Sequence, residues 1–95
     1  MGRDAAKELL KALHADWSYD EAAARIFRLF PFSSFARTIA FTNAVAWVAT
    51  IEGHHPEMTV NYASCLVSYR TTSIDGLSDN DFICAAKIDR LAADI

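Results

Sequence analysis

Hydrophobic positions recur along the chain at two different spacings, and each change of spacing marks the border of a predicted element. Near the start they fall on one side of a helix, which we predict to begin with Asp4 as its cap and to run to about Ala15. The stretch 16–20 is polar apart from its two aromatic residues and predicts a connection, in which Trp17 fits a lid over the core. In the first predicted helix, the apolar residues that share one side are Leu9, Leu10 and Leu13.

Three later segments alternate between apolar and polar residues, which is the period of a β-strand. We predict strands over 25–32, 57–62 and 65–70. The last two should form an antiparallel hairpin, because only a tight connection separates them. Pro31 cannot donate a ladder hydrogen bond, so its end of the first strand is expected at an edge or at the strand's exit.

A long apolar segment separates the first strand from the hairpin. Ser33 or Ser34 caps a predicted helix of about 19 residues that ends at Gly53. This helix has no clean polar arc, so we expect it to be buried on more than one face. In so short a chain one face can cover the sheet while another meets a partner subunit, which predicts self-association.

A polar run opens the last predicted helix. Ser78-Asp79-Asn80-Asp81 resembles a capping box, with acids at the positive end of the helix. With a loop over 71–77, the predicted order is α-β-α-β-β-α, which indicates an α+β fold with helices packed on one face of an antiparallel sheet. We find no repeat or linker within 1–95 and expect a single domain. In the last predicted helix, the apolar residues that recur at helical spacing are Cys84, Ile88, Leu91 and Ile95.

Composition narrows the class of protein. Hydrophobic residues at 53% and aromatic residues at 12% indicate a packed core, and so much apolar content is hard to bury in a monomer. The formal charge of −3 comes without a basic stripe, so we expect no nucleic-acid binding. Cys65 and Cys84 lack CxxC spacing and are expected to be buried, reduced thiols. We see no leader-like start and no run near the ~20 residues of a membrane span, and expect a soluble, cytoplasmic protein.

Candidate chemistry concentrates at the corner between the second helix and the hairpin, where His54 and His55 stand between Gly53 and Pro56. Glycine allows the positive φ that ends a helix, and proline favours an extended conformation at the residue before it. The two imidazoles are then held at a rim, where imidazole can donate or accept a proton at neutral pH. Taken in isolation, a His-His-Pro run is more typical of a surface turn than of a catalytic site. A metal site has little support, since only His14 remains as a third imidazole, without HExxH spacing.

Other stretches combine with the histidine pair into a more specific pattern, whose core is the His-His-Pro run, an aromatic residue six positions after the proline, and a distal aspartate. The stretches are Gly53-His54-His55-Pro56, Tyr62, Asp75-Gly76-Leu77-Ser78-Asp79-Asn80-Asp81-Phe82, Ala85-Ala86-Lys87-Ile88-Asp89, Arg28-x-Phe30-x-Phe32 with Phe35, and Ala40-Phe41-Thr42-Asn43-Ala44-Val45. Over roughly residues 17–92 the chain resembles the pterin-4a-carbinolamine dehydratases.

The resemblance implies a small α+β subunit that forms homodimers or homotetramers. It also implies the dehydration of 4a-hydroxytetrahydropterin to quinonoid dihydropterin, in tetrahydrobiopterin recycling, without a metal or organic cofactor. On the family pattern His54 and His55 are the acid–base pair and Asp81 is the supporting acid. Pterin contacts would come from the two histidines, Pro56 and Thr72. Taken alone, Asp81 fits a helix-capping carboxylate equally well.

Some positions depart from the family pattern. The family usually has a third histidine where this chain has Thr72, an ionisable side chain at Thr50, and in many members tryptophan at Met58. Threonine can hydrogen-bond a pterin but cannot exchange protons near neutral pH. Glu52 is the nearest replacement for the lost acid, but it lies a step of about 200° round the helix from Thr50. The alternative is a catalytically weakened relative that acts as an oligomeric binding or dimerisation module.

Overall fold

Three α-helices and four antiparallel strands make up the chain, and the computed structural model describes all of residues 1–95. The helices are α1 (Arg3–Leu10), α2 (Phe35–Glu52) and α3 (Asp79–Asp94), and a short 3-10 turn covers Thr72–Ile74. The strands are β1 (Ser18–Asp20), β2 (Arg25–Pro31), β3 (Glu57–Asn61) and β4 (Ser64–Tyr69). None of the helices is long and apolar enough to cross a membrane.

The sheet has the order β1-β2-β4-β3, with every neighbouring pair antiparallel. Its inner face carries the apolar side chains that pack beneath the helices, because alternate residues of a strand point to opposite faces. The fully buried members of that face are Ile26, Phe30, Cys65, Val67 and Tyr69. The predicted α+β class, antiparallel sheet and hairpin are therefore confirmed.

The first strand, β1, was not predicted, since 16–20 was expected to be only a connection. Tyr19 pairs with Ile26 in a three-residue ladder beside β2. A strand of three residues is too short to show an alternating apolar pattern in the sequence. The turn that brings β1 beside β2 depends on two local features. Asp20 accepts a hydrogen bond from the Ala23 backbone at 3.1 Å, and Ala24 adopts a positive φ of 51°. The observed order is thus α-β-β-α-β-β-α.

The first helix is shorter than predicted. It ends at Leu10 rather than near Ala15, and its N-cap is Gly2, so Asp4 lies within the first turn instead of capping it. An aspartate of α3 fixes the chain beyond it: Asp89 accepts hydrogen bonds from the backbone of His14 at 3.0 Å and from the Trp17 indole at 2.7 Å. These tertiary bonds replace the intrahelical bonds that the leucine spacing predicted. Trp17 is buried, as expected for a lid over the core.

The second helix, α2, matches the prediction closely. The Ser34 hydroxyl caps it by accepting from the Arg37 backbone at 3.2 Å, and Gly53 ends it at φ 63°. One face is buried against the sheet and α3 through residues that include Phe41 and Val45. The opposite face leaves Trp47 66% and Ile51 62% exposed. The expected apolar outer face is therefore present.

Candidate active site

The end of α2 places the histidine pair. Gly53 takes a left-handed conformation, and the His54 backbone donates to the Ala49 carbonyl at 3.1 Å, which closes the helix end. Pro56 follows immediately before β3 begins at Glu57. The two histidines are consequently anchored by a helix on one side and by a hydrogen-bonded strand on the other.

His54 makes the shortest contact at this corner. Its Nε2 lies 2.5 Å from Oδ1 of Asp81, which is fully buried, while the His54 side chain is 13% exposed. The imidazole also stacks on the Tyr69 ring, with centroids 5.1 Å apart and planes 22° from parallel. Contacts on its Nε2 edge and on its face fix the ring's orientation.

The Asp81 carboxylate serves two structures at once. Its Oδ2 accepts hydrogen bonds from the Ser78 backbone and the Thr71 hydroxyl, both at 2.9 Å, which caps α3 and ties it to the loop. Its Oδ1 faces His54. The capping interpretation and the His54-supporting position are therefore compatible, because each uses a different oxygen.

The pairing fixes how the His54 ring can carry protons. An ionised carboxylate only accepts hydrogen bonds, so Nε2 of His54 donates to Asp81. In the neutral ring Nδ1 is then the unprotonated nitrogen and can accept a proton, and in the imidazolium it can return one. A buried carboxylate behind an imidazole stabilises the imidazolium that forms.

Both histidines border a polar surface hollow of about 280 Å³, the histidine hollow, which borders no apolar side chain. His55 is exposed, and Thr72 also lines the hollow. Pro56, expected to contact substrate, does not line this hollow. The lining residues are Gly53, His54, His55, Arg70, Thr71, Thr72 and Ser73.

A second hollow of about 250 Å³, the arginine hollow, adjoins the first and shares three of its residues. It opens on the outer face of the sheet, where β2, β4 and β3 lie side by side. No apolar side chain lines it. The lining residues are Arg25, His55, Glu57, Ser68, Arg70 and Thr72.

Three buried core groups have raised pKa values, and one of them, Tyr69, stacks on the His54 ring. Burial raises the pKa of the Tyr69 hydroxyl far above its usual range and raises the pKa of the Cys84 thiol. The Tyr69 hydroxyl donates to the His54 carbonyl at 3.4 Å. Burial likewise raises the pKa of Cys65, and both cysteines are free and buried, as expected. These groups hold their protons at neutral pH and act as packing and hydrogen-bonding elements.

The other residues singled out in the sequence line neither hollow. Thr50 is exposed and returns its hydroxyl to the Ala46 carbonyl at 2.9 Å. Glu52 forms an ion pair with Lys87 of α3 and lines neither hollow. His14 is half-exposed at the far end of α1, where its Nδ1 accepts from the Asp16 backbone at 3.0 Å. Glu52 therefore does not replace the acid missing at Thr50.

A comparison with known protein families identifies the group to which this chain is related. The family model described as pterin 4 alpha carbinolamine dehydratase matches residues 1–91. The chain belongs to the pterin-4a-carbinolamine dehydratase family.

Two relatives illustrate how near the family match is. A protein of Legionella pneumophila (strain Corby), named provisionally as a pterin-4-alpha-carbinolamine dehydratase, is 49% identical over 88 residues, 93% of this chain and 78% of that protein. A protein of Nitrosomonas eutropha with the same provisional name is 52% identical over 89 residues, 94% of this chain and 77% of that protein.

Two solved structures share the fold. The crystal structure described as a transcriptional coactivator/pterin dehydratase from Brucella melitensis has a TM-score of 0.91 at 28% identity, covering 97% of each chain. A pterin dehydratase-like protein, described as a RuBisCO assembly factor in the alpha-carboxysome, has a TM-score of 0.72 at 25% identity, covering 83% of this chain and 92% of that one. This family fold thus includes a relative described by an assembly role.

Sequence reasoning missed three residues of the site. Thr71 bonds Asp81, Tyr69 supports the His54 ring, and Arg70 lines both hollows. Tyr69 could have been found, because it continues the inward alternation of β4 toward the corner. Arg70 carried no such signal, since a single arginine at a strand end is ordinary surface chemistry.

Proposed function

We propose that this chain is a 4a-hydroxytetrahydrobiopterin dehydratase, which converts the 4a-carbinolamine to quinonoid dihydropterin in tetrahydrobiopterin recycling. The observation that carries the proposal is the 2.5 Å contact between His54 and the fully buried Asp81 beside the histidine hollow. A surface turn would not need a buried carboxylate with three hydrogen-bonding neighbours behind one of its rings. Membership of the dehydratase family supplies the reaction class.

The proposed reaction moves two protons and one oxygen. The C4a–O bond breaks as the hydroxyl leaves with an added proton as water, N5 loses its proton, and a C4a–N5 double bond forms. His54 takes the N5 proton on Nδ1, with Asp81 stabilising the imidazolium. His55, exposed at the rim, delivers the proton to the leaving hydroxyl. Every step uses side chains of this chain, with no metal or organic cofactor.

Thr72 supplies a hydroxyl where the family pattern has a third imidazole. In the proposed complex it hydrogen-bonds the pterin ring, because it lines the same hollow as the histidine pair. A missing acid or base of principal importance costs on the order of 10²–10⁴ in rate. The proposed enzyme is accordingly slower than a relative with three histidines.

The proposed assembly is a homodimer or homotetramer of single-domain chains, 1–95, in the cytoplasm. Its support is the outer face of α2, where Trp47 and Ile51 leave more than half of their surfaces exposed. Burying large apolar side chains is the main driving force of stable association.

Pro56 acts in this proposal by stiffening the histidine pair rather than by contacting substrate.

A direct dehydration assay on 4a-hydroxytetrahydropterin tests the enzyme proposal. The wild type should exceed the uncatalysed rate, and His54→Ala should lose about 10²–10⁴ of kcat/KM. His14→Ala is the matched control, because it removes an exposed imidazole far from the hollows and should leave the rate unchanged. Wild-type turnover no faster than the uncatalysed reaction would eliminate the enzyme.

A second candidate is a catalytically weakened relative that serves as an oligomeric binding or dimerisation module. Two observations favour it: the threonine at 72 in place of an imidazole, and the similarity in fold to the protein described as a RuBisCO assembly factor. This candidate requires an absent or negligible dehydration rate together with an intact fold. The same assay therefore separates the two.

A further inference from the structure

The arginine hollow is chemically unlike the rest of this acidic chain. Two guanidinium groups, Arg25 and Arg70, face a space of about 250 Å³ in a protein whose formal charge is −3. At about 30 Å³ per water, that space has room for roughly eight waters, enough for an oxyanion. The hollow therefore combines two guanidinium groups, one carboxylate (Glu57), hydroxyl groups and volume, with a surplus of one positive charge.

Strand alternation and register place the two arginines together. Ile26 pairs with Tyr69 on the inner face, so the next positions outward along the strands, Arg25 and Arg70, both belong to the outer face. Glu57 pairs with Ser68 on that face. Two hydrogen-bonded ladders thus hold Arg25, Glu57 and Ser68 in place. The rest of the lining, His55, Arg70 and Thr72, comes from the segments that follow α2 and β4.

The arginines are only weakly engaged by the protein. Arg25 contacts Glu57 at 3.2 Å and Arg70 contacts Asp75, but the acid side chains are 78% and 90% exposed. Exposed ion pairs of this kind hold weakly, whereas arginine binds phosphate and carboxylate through two parallel hydrogen bonds. Asp75 does not line the hollow. An anion inside it can therefore compete for both guanidinium groups.

The hollow continues from the site already described. His55, Arg70 and Thr72 border both hollows, so the two spaces are neighbours and a substituent on a ring in the histidine hollow has the arginine hollow within reach. We propose that the arginine hollow receives an anionic substituent, a phosphate monoester or a carboxylate, on the side chain of the pterin that occupies the histidine hollow. This inference rests on the proposed function, because it assumes a pterin at the histidines.

Fluorescence titration with three stable pterins tests the inference without turnover: 6-hydroxymethylpterin, its phosphate monoester and 6-carboxypterin. The two anionic pterins should bind about tenfold or more tightly than the neutral one. The preference should shrink as ionic strength rises, since the pairing is electrostatic and partly exposed. Inorganic phosphate, used as a competitor, should displace them only weakly.

Substitutions assign the preference to the two arginines. Arg25→Gln and Arg70→Gln should each reduce the ratio of anionic to neutral affinity about tenfold, and Arg70→Lys should retain part of it. Neither change strands a buried charge, because the acid partners are exposed. Arg90→Gln, on the exposed side of α3, is the matched control and should leave both affinities unchanged.

The outcomes are separable. Equal binding of neutral and anionic pterins, or a ratio that the two substitutions do not change, overturns this inference and leaves the dehydratase proposal standing. Inorganic phosphate as tight as the phosphate ester would mark a site for free anions and would also overturn it. A failure of every pterin to bind would overturn both proposals together.

Discussion

At the scale of single residues, the site depends on one carboxylate that satisfies two demands. Asp81 Oδ2 closes the first turn of α3, and Oδ1 orients His54. Residue types and spacing singled out the histidine pair, because Gly and Pro flank it, and predicted Asp81 as a helix cap. A role for Asp81 beside the histidines was implied only by the family resemblance. Thr71 and Arg70 were not predictable, since their roles arise only when the β4 end and the α3 start meet in space.

Restoring an imidazole at position 72 should increase the dehydration rate. Thr72 lines the histidine hollow, so Thr72→His adds a group that exchanges protons near neutral pH at the place where the family pattern has one. We expect kcat to rise by up to about 10²-fold, the lower end of what acid–base groups contribute. Steady-state assays measure this, with Thr72→Asn as the control that hydrogen-bonds without titrating. A fall in kcat with Thr72→His would contradict the proposed geometry.

At the scale of elements, the corner is formed by the end of α2 and the start of β3. The long helix and the hairpin were predictable because sustained apolar periods and turn residues agree. The strand β1 and the early end of α1 were not, because short-range hydrogen bonds to Asp20 and long-range bonds to Asp89 decide them. Individual hydrogen bonds of this kind leave no periodic hydrophobic pattern in the sequence.

Gly53→Ala should weaken the corner without any steric clash. Nothing lies within 4 Å of a Cβ added at Gly53, so the cost comes from its φ of 63° alone. A side chain in the left-handed region costs about 1–2 kcal/mol, less for asparagine. Urea unfolding should show a loss of about 1 kcal/mol for Gly53→Ala and a smaller one for Gly53→Asn.

Gly76→Ala is the control for this change. Gly76 has no positive φ, and a Cβ added there meets only the Ile74 carbonyl oxygen at 3.8 Å, an ordinary contact, so stability should change little. If Gly53→Ala unfolds at the same urea concentration as the wild type, the left-handed cap does not constrain the histidines.

At the scale of the whole molecule, apolar surface remains after the core is complete. The packed core lies between the sheet and the helices, yet α2 still presents Trp47 and Ile51 outward. The lack of a polar arc predicted this outer face. The sequence could not specify which copies or partners cover it, because that depends on the shapes of two surfaces.

Trp47→Asp should dissociate the proposed homo-oligomer. A charge placed at the centre of an apolar contact loses its hydration without gaining a partner. Sedimentation velocity at micromolar concentration should show an oligomer for the wild type and a monomer for the variant. Arg90→Asp, an exposed change on α3, should leave the oligomer intact. A wild type that sediments as a monomer would refute the assembly.

The account depends most on His54 and Asp81 acting as one unit, and a double-mutant cycle in kcat/KM for 4a-hydroxytetrahydropterin dehydration measures this directly. We expect Asp81→Asn to cost tenfold or more in the presence of His54, and almost nothing further once His54→Ala has been made. The asparagine amide oxygen can still accept from the Ser78 backbone, which preserves the cap. Losses that simply multiply, or a His54→Ala variant as fast as the wild type, would contradict the central claim.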